Sequence, residues 1–155
     1  DTRLKKLDEG QMDAIILAAA GLTRLGHEDR IKQIIPHEYC LPAVGQGALA
    51  IECRADNFKV RQMLDFLNNT PTKQATDAER AFLGLIEGGC QVPIGVHAEV
   101  KDNRIAVEAI IASLDGSTVL RDTAEGSADD AALIGRTLGQ KMLNNGGQEI
   151  LAAIL

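Results

Sequence analysis

Between residues 96 and 111 apolar side chains keep falling on every second position, and few folds accept that pattern twice in a row. Val96, Ala98 and Val100 alternate along one run, and Ile105, Val107, Ala109 and Ile111 along the next. A period of two places all the apolar residues of a run on one face of a strand. Asp102-Asn103 between the two runs, and Asp115-Gly116 before TVLRDTA, are residues suited to tight turns. The stretch therefore predicts a three-stranded antiparallel meander.

On both sides the period lengthens to that of a helix. Thr72 can cap one in which Ala75, Ala78, Phe82 and Leu85 line up, with Gly88-Gly89 ending it. From Ala128 onward Ala131, Ile134, Leu138 and Met142 form one stripe, and QEILAAIL after Gly146-Gly147 reads as a last short helix. Residues from about 70 to the end thus predict a compact α+β unit in which helices pack on the sheet.

Upstream the grammar differs. Thr2 can cap a short helix with Leu4 and Leu7 on one face and Gly10 as its stop. The apolar run from Ala14 in DAIILAAAGL predicts a buried strand that turns into a helix near Ala19. Residues 34 to 46, with Pro36, Pro42 and Gly45, read as a crossover, ALAIECR as another strand, and Asp56 as the cap of a helix bearing Val60, Met63, Leu64 and Leu67. Helix, buried strand and helix in succession are the grammar of an α/β domain. The fold class expected is α/β plus α+β.

Charge and cysteine usage narrow the function. With 16 Lys plus Arg against 22 Asp plus Glu, the net charge is -6, so no whole-surface attraction to nucleic acid or anionic lipid is expected, and an anionic ligand must be held by a local cluster of bases. Aromatics are 3% with no Trp, a poor supply of stacking platforms. No apolar run reaches the roughly 20 residues that cross a bilayer. Cys40, Cys53 and Cys90 are odd in number and widely spaced, which suggests neither a disulfide framework nor a C-x-x-C pair. A soluble intracellular setting is expected, and an opening at Asp1 without Met suggests a piece of something longer.

Several motifs carry weak chemistry on their own. GQGALA at 45–50 has the letters of a dinucleotide fingerprint but lacks a preceding strand and a following helix. His27, His37 and His97 lack metal-ligand spacing. Arg3 and Arg24 each lie near an end of the apolar α/β run, and guanidinium suits bidentate grip on carboxylates, although composition alone favours reading them as solvated surface arginines. Gln46 reads as a polar loop residue. Cys40 and Cys53 read as small hydrophobes, whereas Cys90 sits in GGCQVPIG, where two glycines permit close approach and Pro93 stiffens the exit. A thiol on such a loop suits covalent attachment.

Taken together, DTRLKKLDEGQMDAIILAAAGLTRL, LPAVGQGALAIECR, AERAFLGLIEGGCQVPIG and MLNNGGQEIL closely resemble, in order, the C-terminal half of the hydroxymethylbilane synthase (porphobilinogen deaminase) family. The resemblance runs through essentially all 155 residues, and EGGCQVPIG is its most specific piece. It implies a cytoplasmic transferase of porphyrin and heme biosynthesis that condenses four porphobilinogen molecules into linear hydroxymethylbilane and releases ammonia at each addition. A dipyrromethane cofactor is implied on Cys90 through a thioether. Arg3 and Arg24 match arginines that bind carboxylates of cofactor and substrate, and Leu17, Ala18 and Gln46 match positions lining the substrate pocket.

The same resemblance implies three domains, with residues 1–41 the end of the second, 42–69 a crossover and a segment returning to the first, and 70–155 the third, carrying the cofactor cysteine. The family's catalytic aspartate lies in the N-terminal half, so no catalytic residue and no metal are expected here, and the chain alone is expected to be inactive. Its expected partners are porphobilinogen, the growing pyrrole chain and the missing half. The complete enzyme is expected to be monomeric and this portion to self-associate, with neither nucleic acid nor membrane involved. The alternatives are a non-catalytic module that binds small anions and an interaction fragment, and covalent occupancy of Cys90 separates both from the enzyme.

Overall fold

A computed structural model describes residues 2–86 and 92–154, which fall into two compact units divided between Ile35 and Pro36. In the first unit α1 (Thr2–Asp8) buries Leu4, and the chain turns away at Gly10, whose φ of 70° suits glycine. Arg30, in a 3-10 turn, reaches back to Asp8 at 2.5 Å. The helix expected near Ala19 is α2 (Ala19–Arg24). The buried strand expected before it is absent: residues 14–18 form no helix or strand, and Ile16 is 70% exposed. A strand of this apolar kind needs neighbours on both edges and helices on both faces, and the described residues of the unit supply none.

The second unit opens with an irregular crossover, residues 36–57. ALAIECR forms no strand, and Leu49 and Ile51 stand in the open at 87% and 61% exposure. Here too the pattern is right for a strand but the partner backbone is not among the described residues. Helix α3 (Phe58–Leu64) follows, capped by Asn57, whose side chain accepts from Val60 N at 3.2 Å. The expected cap, Asp56, is engaged by Arg54 instead. Phe58, Met63 and Phe66 are exposed.

Helix α4 (Thr70–Ile86) begins one turn earlier than expected, because Asn69 Oδ1 accepts from both Thr72 N and Thr72 Oγ1. Pro71 fits in that first turn, where its missing N–H costs nothing. The expected stripe faces inward, with Phe82 and Ala78 fully buried.

The meander is present: β1 (Ile94–Lys101), β2 (Arg104–Ala112) and β3 (Val119–Ser127) pair antiparallel in sequence order. Asp102 and Asn103 both adopt positive φ, 50° and 58°, as a two-residue hairpin turn requires. Pairing of Val96 with Ala109 and of Ala98 with Val107 brings the apolar positions into register on one face. Helix α5 (Ala131–Met142) joins α4 in covering that face, burying Leu138 and Met142. Each such side chain contributes roughly 1.5–3 kcal/mol of transfer free energy. The helices meet closely because Gly135 lies against the backbone of Ala78. The chain then kinks at Asn145 and Gly146, where the backbone leaves helical geometry (Gly146 φ 108°), and α6 (Gln148–Ala152) adds Ile150 and Leu151 to the core.

Candidate cofactor and substrate site

In the first unit Arg3 lies on α1 and Arg24 is the last residue of α2, both exposed. Leu17 is half-buried, and Ala18 precedes α2 with its carbonyl accepting from Gly21 N at 3.0 Å. Among the described residues no ion pair joins Arg3 or Arg24 to a carboxylate. Two guanidinium groups left to solvent by their own protein form a donor set suited to carboxylates brought by a ligand.

In the second unit Gln46 is exposed on the turn Val44–Gly47, flanked by Gly45 and Gly47 at φ 72° and 89°. Both glycines are needed there, since other residues pay for that conformation. Irregular chain precedes this turn and irregular chain follows it, so the dinucleotide lettering has none of the required context. The turn is held from below by Glu79 on α4, only 5% exposed. Its Oε2 accepts from Gly45 N at 2.7 Å and its Oε1 from Ala98 N on β1 at 3.0 Å.

The residues leading to this turn lie across the outer face of the sheet. Arg121 on β3 donates to the carbonyls of His37 and Glu38 at 2.8 and 2.5 Å and to Glu108 Oε1 at 2.7 Å. Val96 N donates to Pro42 O at 3.2 Å, and buried Leu41 sits on Gly95, where a Cβ would lie 2.8 Å from Leu41 Cβ. The His37 and His97 rings meet edge to face, with centroids 4.1 Å apart.

Cys90 lies outside the described residues, between α4, which ends at buried Ile86, and buried Val92 ahead of β1. Sequence reasoning missed Glu79 and Arg121. For Glu79 a signal existed: it falls four residues after Ala75 and three before Phe82, inside the apolar stripe. Arg121 carried no such signal, because its partners are remote in sequence. Two open grooves, of about 490 and 540 Å³, are lined by Ser113, Asp115 and Ile154 among others, and by Arg136 and Lys141 among others, and neither holds a cofactor- or substrate-binding residue expected from the sequence. Asp115 is occupied as a loop brace: hydrogen bonds from Ser113 and Ser117 hold its carboxyl down at about 2. No helix of the described residues is long and apolar enough to cross a membrane.

Burial, reinforced by the neighbouring His37, lowers the pKa of His97 against the opposing pull of Glu79, Glu99 and Glu108. The folded state therefore binds fewer protons than the unfolded one below the ordinary histidine value of about 6.5. Stability of the second unit is expected to be full above that value and to fall as pH drops toward the depressed folded pKa. Urea midpoints at several pH values check this, and His97→Gln is expected to flatten the dependence.

Residues 1–62 match the family model described as porphobilinogen deaminase, dipyromethane cofactor binding domain, and residues 73–144 match porphobilinogen deaminase, C-terminal domain. Among curated relatives, a porphobilinogen deaminase of Desulforamulus reducens is 49% identical over 99% of this chain and 50% of its own length. One from Prochlorococcus marinus is 50% identical over 99% of this chain and 48% of its own. Another, from a Nostoc species, is 49% identical with the same coverage, 99% and 48%. The chain spans about half the length of the curated relatives it matches.

Proposed function

This chain belongs to the porphobilinogen deaminase family, and on that premise we propose that it is the C-terminal half of a hydroxymethylbilane synthase, a cytoplasmic transferase of porphyrin and heme biosynthesis. The complete enzyme polymerises four porphobilinogen molecules into linear hydroxymethylbilane and releases ammonia. The observation that carries this reading is identity near 50% across 99% of the chain, with both family domains in order. Cys40 and Cys53, read from the sequence as small buried hydrophobes, are instead exposed and free, which suits a cytoplasmic setting.

In this reading the dipyrromethane cofactor is a thioether on Cys90, and Arg3 and Arg24 bind its carboxylates and those of the substrate. The donor set fits: two exposed guanidinium groups with no carboxylate engaged among the described residues. The model described as the dipyromethane cofactor binding domain covers both arginines, which supports their part in this reading. When bound, the group supplies a pyrrole end to which the first substrate is joined. Leu17, Ala18 and Gln46 line the substrate side, and the catalytic aspartate comes from the other half of the enzyme.

The domain assignment proposed is 1–41 for the end of the second domain, 42–69 for the segment returning to the first, and 70–155 for the third. Exposed Leu49, Ile51, Phe58 and Phe66 suit a segment covered by the N-terminal half, and without that cover they favour association between copies.

The test compares the purified 155-residue chain with the complete enzyme and its Arg3→Ala and Arg24→Ala variants. The chain alone is expected to make no hydroxymethylbilane. Each variant is expected to slow elongation by ~10–100-fold, since a charge-assisted hydrogen bond contributes ~1.5–3 kcal/mol. Turnover by the chain alone, or parent-rate elongation by both variants, would overturn the reading.

A further inference from the structure

We propose that Glu79 is a positioning residue: its buried carboxylate fixes the Gln46 turn against α4 and β1, and so sets where Gln46 meets the substrate. The proposal rests on the reading of Gln46 as a substrate-binding residue.

Glu79 is the buried charged residue of the described core, and both its oxygens are spent on backbone N–H groups from different parts of the chain. One belongs to Gly45, immediately before Gln46, and the other to Ala98 on β1. The helix that carries Glu79 runs on to Ile86, and β1 begins at Ile94, so this carboxylate ties the Gln46 turn to the two elements that frame residues 87–91. A carboxylate is acceptor-only and serves two donors at once. Glutamine of the same size has one oxygen and an NH₂ group, so one of the two N–H groups would face a donor. A Cβ at Gly45 would meet nothing within 4 Å, so a side chain there would find no packing partner.

The first arm of the test is amide exchange in this chain. Gly45 N–H is expected to be protected in the parent and to lose ~10–100-fold of that protection in Glu79→Gln, the worth of one charge-assisted hydrogen bond. The second arm is kinetics in the complete enzyme. Glu79→Gln and Gln46→Ala are each expected to raise KM with kcat held within about twofold, and the double variant to be no worse than the worse single, as coupled residues behave.

Effects that multiply would mean independent damage and overturn the proposal. So would a Gly45 amide that exchanges at the unfolded-chain rate in the parent, a measurement that holds even if the variant fails to fold. If Gly45 protection depends on Glu79 while Gln46→Ala leaves KM unchanged, the brace is upheld and the substrate reading of Gln46 falls.

Discussion

Cys90→Ser in the complete enzyme is expected to abolish hydroxymethylbilane formation and to remove a two-pyrrole mass excess from the peptide containing residue 90. The substitution itself changes one atom, so the variant should melt like the parent protein without its cofactor, and the loss would belong to chemistry. The physical reason is nucleophilicity. A thiol has a pKa near 8.5 and reaches a useful thiolate fraction at neutral pH, whereas an unassisted serine hydroxyl does not. Cys40→Ser and Cys53→Ser are the controls: both thiols are exposed and free, and both variants should keep mass excess and turnover. Parent-like turnover by Cys90→Ser would remove the anchor from the proposal. A parent protein with no excess at residue 90 would favour the anion-binding module, which has no use for a covalent pyrrole.

What could be read from the sequence divides along a physical line. Strands β1 and β2 were legible because their alternation, their turn residues and their pairing all lie within a short span, and the Asp102-Asn103 turn fixes the register. The stripe on α4 was legible for the same reason. ALAIECR and the run from Ala14 have local patterns just as suggestive, yet neither is a strand here, because a strand needs another backbone and local periodicity cannot say whether one is present. The caps failed more narrowly. Asp56, Asn57, Asn69 and Thr72 are all competent caps, and which one serves depends on whose side chain reaches an amide two or three residues on. Arg3, Arg24 and Gln46 became site candidates through resemblance, since an exposed arginine or a loop glutamine has no signature of its own. Cys90, the residue most legible as chemistry, lies outside the described residues. Glu79 was legible in hindsight as an acid on an apolar stripe, but its two acceptor bonds depend on a crossover turn 34 residues upstream and a strand 19 residues downstream.

Gly135→Ala and Gly84→Ala are expected to shift stability in opposite directions, although both replace a helical glycine by the best helix former. In an exposed helix the exchange gains roughly 0.8–1 kcal/mol from propensity alone. Gly84, on the open side of α4 with nothing within 4 Å of a new Cβ, should show that gain. At Gly135 the new Cβ would collide with the carbonyl group of Ala78 across the α4–α5 contact. That obstacle is backbone, with no rotamer to escape into, so α5 must move off α4. Overpacking of this kind costs ~1–3 kcal/mol and occasionally more, and a rigid backbone obstacle places Gly135→Ala at the upper end. Separating the helices also loosens Phe82 and Leu138, whose burial depends on the close approach. Denaturant midpoints of the two variants measure the contrast, and a Gly135→Ala protein as stable as the parent would show that the helices do not meet as closely as described. The consequence extends to function, because α4 runs directly into residues 87–91 from buried Ile86. A displaced α4 moves Ile86, the last described residue before Cys90, so on the proposed reading any folded Gly135→Ala enzyme should also carry less cofactor on Cys90.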